Sequence, residues 1–287
     1  MRYHNMSNIP MIPIADWIDS LVENLTKFEG FFNIISVIIA SIASVFQWVF
    51  DILPIWLFIV LVVACVYYVN RNGKKWGLIA FSLFGLLFIW NLGFWRDMTQ
   101  TLTLVLTSSF VALVIGVPLG IWMSKSKIAE KIIRPILDFM QTMPAFVYLI
   151  PAVAFFGIGM VPGVVASVIF AMPPTVRMTN LGIRSVPTEL DEAADSFGST
   201  GWQKLFKVEL PIAKSTIMAG INQSIMLALS MVVIASMIGT MGLGTKVYFA
   251  VGRNDAGNGF TAGLAIVILA IILDRLTQAF TKDKRTR

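Results

Sequence analysis

The chain contains apolar runs that are too long and too poor in charge for a soluble protein. A helix needs roughly 20 mostly apolar residues to cross a membrane. Runs of this kind are Ile52–Asn70, Trp76–Trp95, Met98–Ser124, Phe139–Val176, Ser215–Thr245 and Ala256–Leu273. Composition agrees, because 57% of the residues are hydrophobic, only 13% are charged, and the mean hydropathy is +0.79. The sequence therefore predicts an all-α, polytopic membrane helix bundle.

One of these runs, Phe139–Val176, is too long for a single span. The segment Gly157–Gly163 near its middle is rich in glycine and contains Pro162, which is typical of a turn. We therefore expect two helices on either side of this segment, and about seven spans in total.

Basic residues outside the runs predict the orientation of the spans. They form clusters at Arg71, Lys74 and Lys75; at Lys125, Lys127, Lys131 and Arg134; at Arg177, Arg184, Lys204, Lys207 and Lys214; and at Lys282, Lys284, Arg285 and Arg287. With seven spans, all these clusters fall on one side, as the excess of cytoplasmic Lys and Arg requires. The N-terminus is then outside and the C-terminus inside. The net charge of +6 is explained in this way without a nucleic-acid partner.

The segment Phe31–Phe50 before the first span has two faces. At 100° per residue, one stripe of the segment and its borders is polar, and it consists of Glu29, Asn33, Ser36, Ser44, Gln47 and Asp51. The opposite face consists of Phe32, Ile34, Ile35, Ile38, Ile42, Val45 and Val49. This pattern predicts an amphipathic helix that lies in the membrane interface. The alternative is an eighth span whose polar stripe packs on its neighbours.

The loop between about Arg184 and Lys214 predicts a short cytoplasmic helix. Thr188 can cap a helix that opens with acidic residues, which are favoured near a helix N-terminus. Gly198 can end that helix in a left-handed conformation.

A second short helix is predicted at Trp202–Val208, ending at Pro211. Between the two helices stands a large apolar side chain, Phe197. A short helix with small residues and one aromatic side chain is suited to docking into a groove on another protein.

Part of this loop carries a spaced motif. Glu192-Ala193-Ala194 is followed by Gly198 and then by Val208-Glu209-Leu210-Pro211. The pattern resembles the EAA loop of ABC-importer permeases, with Val208 in place of the usual Ile. The resemblance implies a type I ABC-importer permease core and a loop that docks on a separate ATPase. The residues to which it assigns this coupling role are Glu192, Ala193, Ala194, Phe197, Gly198, Leu210 and Pro211.

A narrower resemblance covers about Gln100 to Gln278. The runs Met140–Tyr148, Ala171–Thr179 and Ala219–Ser230 are similar to the permeases of glycine betaine/proline-betaine importers. That family imports quaternary-amine osmoprotectants during osmotic stress. The resemblance implies a second copy of the permease, two ABC ATPase subunits and an extracytoplasmic binding protein. ATP and Mg would be bound by the ATPase, and the permease itself would hold no cofactor or metal.

A substrate pathway follows from the same resemblance. A quaternary ammonium lacks hydrogen-bond donors, and aromatic faces bind such cations. The aromatic residues that this suggests are Phe146, Tyr148, Phe155, Phe156 and Phe170; packing within the bundle is their alternative role. The pathway residues that we predict are Met143, Pro144, Phe146, Tyr148, Gln223 and Met226.

Several kinds of chemistry lack the residues they need. No segment matches the P-loop pattern, because Gly242–Lys246 has the wrong spacing. His4 is the only histidine and Cys65 the only cysteine, so the chain lacks the ligands of a zinc site and the pair of a Cys–His nucleophile.

Asp138 and Asp274 stand near cytoplasmic ends of spans. Charges buried in spans usually mark ion pathways, and their scarcity argues against an ion-coupled carrier, which remains the rival class. A permease for choline, carnitine or an amino acid is the nearer alternative.

The predicted domain organisation follows from these features. Residues 1–51 form an N-terminal tail with the interfacial helix, and residues 52–95 contribute additional transmembrane helices. Residues 96–281 form the permease core, which includes the loop 187–211, and residues 282–287 form a basic cytoplasmic tail. The expected location is the bacterial cytoplasmic membrane, as a multi-pass protein.

Overall fold

A computed structural model describes residues 13–70 and 76–281, and these residues form helices joined by short turns. The first helices are α1 (Ile14–Thr26), α2 (Glu29–Ile52), α3 (Ile55–Asn70), α4 (Trp76–Asn91), α5 (Trp95–Lys125) and α6 (Lys127–Thr142). A 3₁₀ turn (Ala145–Tyr148) leads into α7 (Leu149–Phe156), α8 (Met160–Arg184), α9 (Thr188–Ser196) and α10 (Gly201–Lys204). A π turn (Leu205–Glu209) precedes α11 (Leu210–Ala235), and a second 3₁₀ turn (Ser236–Ile238) precedes α12 (Leu243–Gly252) and α13 (Ala256–Thr281). The predicted all-α bundle is confirmed.

The centre of the bundle is α8, which packs along α5 on one side and along α11 on the other. Glycines permit these close crossings. A Cβ on Gly120 of α5 would lie 2.5 Å from Cβ of Thr179, and one on Gly220 of α11 would lie 2.6 Å from Cβ of Met178. Because real side chains do not approach so closely, larger residues there would force the helices apart.

The number of helices that can span a membrane differs from the predicted seven. Among the described residues, five are long and apolar enough, and a bent pair would make six. The five are Glu29–Ile52, Trp95–Lys125, Met160–Arg184, Gly201–Ile238 and Ala256–Gln278. The predicted spans α3 and α4 exist as apolar helices but have 16 residues each. A helix of that length is about 24 Å long. They are shorter than their apolar runs, because residues such as Gly93 form the turn into the next helix.

The predicted break in Phe139–Val176 is confirmed. The backbone of Gly157 and Gly159 has φ of 75° and 132°, and the turn they form separates α7 from α8. A second break, which we did not predict, separates α6 from α7 with a bend of 111°. It occurs at Pro144, which lacks an N–H and forces the preceding Met143 into an extended conformation. The first half of the run is therefore a bent pair rather than a straight span.

Most basic residues of the described part lie at one end of the bundle. Lys125 ends α5, Arg184 ends α8, and Lys204 and Lys207 precede α11. This end is the cytoplasmic end by the charge rule. The predicted basic loop at 71–75 and the tail at 282–287 lie outside the described residues.

The helix α2 is long enough to span a membrane, and both its ends and its polar stripe contact other helices. Near its start, Phe32 stacks on Phe155 at the outer end of α7, with ring centroids 4.6 Å apart. Near its end, Phe50 contacts Phe58, which in turn packs edge-on against Trp95 at the outer start of α5. Between these ends, Gln47 of the predicted polar stripe accepts a hydrogen bond from Thr103 of α5 at 2.9 Å. Whether α2 spans the membrane or lies in the interface stays a prediction.

Candidate functional site: the cytoplasmic coupling loop

The first helix of the loop, α9, begins at Thr188, the residue that was predicted to cap it. Pro187 is the N-cap, and its carbonyl accepts hydrogen bonds from the backbone N–H groups of Leu190 and Asp191 at 3.1 and 3.4 Å. The expectation that Thr188 caps the helix is therefore wrong. A proline before the helix fixes the extended entry, so a side-chain cap is not needed. Acidic residues do occupy the first turn, as predicted.

Gly198 ends this first helical unit as predicted. Its φ is +74°, and its N–H donates to the carbonyl of Asp195 at 2.9 Å. The next N–H, from Ser199, returns to the carbonyl of Ala194 at 3.0 Å. This is a left-handed helix ending that satisfies the last carbonyls. A Cβ on Gly198 would meet nothing within 4 Å, so the backbone there is open to a partner.

Large apolar side chains stand exposed around this turn. Phe197 is 90% exposed, and Trp202 and Phe206 are 72% and 59% exposed. The rings of Trp202 and Phe206 stack with centroids 5.7 Å apart. We call Ala193, Phe197, Gly198, Trp202 and Phe206 the coupling surface. Ala193 and Glu192 of the E-A-A motif are exposed, whereas Ala194 is buried against the rest of the loop.

Ion pairs join the two helices of the loop. The ammonium of Lys204 lies 3.0 Å from Asp191 and 3.1 Å from Asp195. The hydrogen bonds that the ammonium donates to these carboxylates, first to Asp191 and then to Asp195, raise the pKa of Lys204 above its ordinary value. A capping box between Thr200 and Gln203 starts α10. The loop is thus held by contacts within itself although it is exposed.

The second helix of the loop does not end at Pro211, contrary to the prediction. Residues Gly201–Ile238 form one continuous helical segment. Pro211 lies in the first turn of α11, directly after the π turn. The N–H of Leu210 bonds to the carbonyl of Leu205, five residues back, so the widened turn accommodates the missing N–H of the proline. Leu210 is half-buried and Pro211 is exposed where the loop enters the span.

Sequence reasoning missed a buried carboxylate in this turn, that of Glu209. Its side chain is only 3% exposed and pairs with Lys125 at the end of α5. In the EAA-loop pattern, the position between Val208 and Leu210 can hold any residue. The motif therefore does not identify Glu209. A carboxylate directly before an apolar span was the only available signal.

The predicted pathway residues do not all share one environment. Tyr148 is buried, its hydroxyl donates to the carbonyl of Met140, and its ring lies 6.4 Å from that of Phe170. Met143 packs on the same cluster. The other predicted positions are accessible or half-buried on a single chain: Pro144, Phe146, Gln223 and Met226. The structure places Tyr148 as a packing residue and brings Gln223 to an open face of α11.

The two carboxylates near the membrane have partners. Asp138 of α6 pairs with Arg177 of α8. Asp274 of α13 accepts hydrogen bonds from Asn222 at 3.0 Å and from Gln278 at 2.8 and 2.7 Å.

The sequence matches the family of binding-protein-dependent transport system inner membrane components over residues 112–286. It is 78% identical to the glycine betaine/carnitine transport permease protein GbuB of Listeria monocytogenes, over 98% of this chain and 100% of that protein. It is 53% identical to the glycine betaine transport system permease protein OpuAB of Bacillus subtilis, over 98% of this chain and 99% of that protein.

The fold resembles a solved structure of the MetNI methionine ABC transporter in an inward-facing conformation. The TM-score is 0.60 at 23% identity, covering 66% of this chain and 94% of that chain. The chain therefore belongs to the binding-protein-dependent transport system inner membrane components, and it is a multi-pass permease subunit of the cytoplasmic membrane.

Proposed function

We propose that this chain forms the transmembrane pathway of an ATP-driven importer for glycine betaine or a related quaternary-amine solute. The observation that carries the substrate class is the 78% identity, over the full length of the relative, to a glycine betaine/carnitine permease. The accumulated solute would protect the cell against osmotic stress.

The coupling surface supports a separate ATPase subunit. Phe197 and Trp202 are large apolar side chains exposed at the cytoplasmic end. Exposed apolar groups of this kind mark protein–protein contacts. Small neighbours at Ala193 and Gly198 let a groove approach the backbone. The proposed partner therefore closes around Phe197, and ATP and Mg are bound and used on that partner rather than on this chain.

The complete transporter would contain two copies of this permease, two ATPase subunits and an extracytoplasmic binding protein. Transport would proceed by alternating access. ATP binding closes the two ATPases and moves the coupling loops. The spans at either end of each loop, α8 and α11, then reorient and open the pathway outward. Hydrolysis restores the inward-facing state.

The decisive experiment is uptake into proteoliposomes that contain the permease, its ATPase and its binding protein. We expect uptake of radiolabelled glycine betaine that requires ATP and continues after a protonophore and a sodium ionophore are added. Uptake that stops with the ionophores and ignores ATP would establish an ion-coupled carrier. ATP-driven uptake of an amino acid, choline or carnitine in preference to glycine betaine would keep the transport mechanism and replace the substrate.

A further inference from the structure

Both stems of the coupling loop are tied to the same corner of the bundle. That corner, residues 123–130, is where α5 ends and α6 begins, and we call it the α5–α6 corner. The stem that leaves α8 reaches the corner through Arg184, which lies 2.8 Å from Glu130 and donates to a backbone carbonyl of the corner at 3.1 Å. The stem that enters α11 reaches it through Glu209, which pairs with Lys125.

The pair between Glu209 and Lys125 is asymmetric in its exposure. The Glu209 side chain is 3% exposed, whereas that of Lys125 is 44% exposed. A buried carboxylate is costly unless a cation compensates it. The Glu209 carboxylate therefore depends on Lys125 for its compensating charge. Because the carboxylate is buried, water cannot replace this contact between the incoming stem and α5.

The π turn places the carboxylate in this position. Glu209 is the last residue of the turn, and the following N–H bonds five residues back to Leu205. Single π turns inside helices are frequent at functional sites. The other oxygen of the carboxylate, Oε2, is buried without a hydrogen-bond partner among the described residues. An unpaired buried acceptor is destabilising, so the turn is maintained in spite of a local cost.

We propose that Lys125 and Glu209 are a positioning pair that transmits movement of the coupling loop to the α5–α6 corner. With the pair in place, the loop moves α5 and α6 together with α8 and α11. Without it, the incoming stem can shift along the corner, and ATP is hydrolysed with less solute moved. This inference rests on the proposed function as a permease driven by a separate ATPase.

The informative variant replaces both partners, because removal of one alone leaves a buried charge unpaired and destabilises the chain. Lys125→Met/Glu209→Gln keeps the approximate volume of both side chains and removes both charges. Uptake of radiolabelled glycine betaine and ATP hydrolysis are measured in the same proteoliposomes of the full complex. We expect hydrolysis within about twofold of wild type and solute moved per ATP lowered at least about fivefold, the lower range of typical coupling effects.

Two variants serve as controls. Lys125→Arg keeps the charge, and it is expected to move as much solute per ATP as wild type. Lys246→Met removes a cation of α12 that lies 3.8 Å from Asp97 at the outer start of α5, and it is expected to leave the amount of solute moved per ATP unchanged.

If the double variant moves as much solute per ATP as wild type, the proposal is overturned. The two charges would then only compensate each other. Failure of the double variant to assemble also overturns it, because the pair would be needed for folding. Failure of the proposed function is distinguishable, since the wild-type complex would then show no ATP-dependent uptake of glycine betaine.

Discussion

The coupling loop and the predicted pathway segment show how differently a sequence motif and a packed environment specify a side chain. In the loop, Phe197 and Gly198 have the exposure and the backbone conformation that the motif predicts. In the pathway segment, Tyr148 was expected to line a route for solute, yet it is buried and bonded to the carbonyl of Met140.

The difference has a physical reason. The loop is exposed and held by local contacts, so its conformation follows from glycine, proline and charge within about 25 residues of sequence. The environment of Tyr148 is decided by α8 and α11, which come from distant sequence. The comparison teaches that the conformation of an exposed loop can be predicted from a motif, whereas the environment of a side chain inside the bundle requires the packed structure.

The largest effect should come from a glycine inside the bundle. Gly120→Leu would place a Cβ 2.5 Å from Cβ of Thr179 and 2.7 Å from the carbonyl oxygen of Val176. Overpacking against a backbone atom costs about 1–3 kcal/mol or more, so we expect strongly reduced amounts of folded protein in membranes, measured by fluorescence-detected size exclusion. Gly77→Leu, where nothing lies within 4 Å, is the control.

The loop glycine should behave in the opposite way. Gly198→Arg has open space around it, so we expect normal membrane levels but uptake below about a tenth of wild type, since a charge would enter the ATPase contact. The left-handed backbone adds strain of about 1–2 kcal/mol. Gly252→Arg is a matched control with equal space on the outer side. Normal uptake by Gly198→Arg would remove the coupling surface from its assigned role.

The exposed ring of the loop gives a smaller, graded test. We expect Phe197→Ala to weaken ATPase binding by about 2 kcal/mol, roughly 30-fold, as for an interface hot spot. Titration of detergent-solubilised permease with its ATPase measures this change. Phe84→Ala removes a ring that is 68% exposed on α4, and it should leave the affinity unchanged. Equal affinities for both variants would place the docking contact elsewhere.

The pathway segment can be divided by a pair of conservative changes. Tyr148→Phe removes one hydrogen bond, so we expect a loss of about 0.5–1.5 kcal/mol in stability and little change in the KM for uptake. Gln223→Leu replaces an exposed amide on α11 and should alter uptake more than thermal stability. A large KM change in Tyr148→Phe alone would return Tyr148 to the pathway.

The smallest effect should come from the replacement of Lys204. Its pairs with Asp191 and Asp195 are near the surface, where salt bridges contribute little, so Lys204→Met should retain uptake within about twofold of wild type. Because its pKa is raised, the folded state favours the protonated form. The pairs therefore contribute at neutral pH and are lost only as the pH rises through the raised pKa. Thermal unfolding of the complex at neutral and strongly alkaline pH tests this direction.

Much of the fold could be predicted because membranes restrict the choices. Apolar runs identify the helices of the bundle, and Gly157 and Gly159 mark a real break. The bend at Pro144 and the continuous passage through Pro211 could not be predicted, since proline breaks a helix in some contexts and begins one in others. Pairs such as Lys125 with Glu209 join positions 84 residues apart, so no local pattern reveals them.

The sequence by itself determined the helical class, the cytoplasmic end and the helical turns of the loop between α8 and α11, because hydropathy, charge and a spaced motif act locally. The tertiary structure alone decided three further features. It packed the two ends of α2 against α7 and α3, buried Tyr148, and tied both stems of the loop to the α5–α6 corner. Each of these depends on contacts between distant segments, whose geometry exists only once the helices have packed.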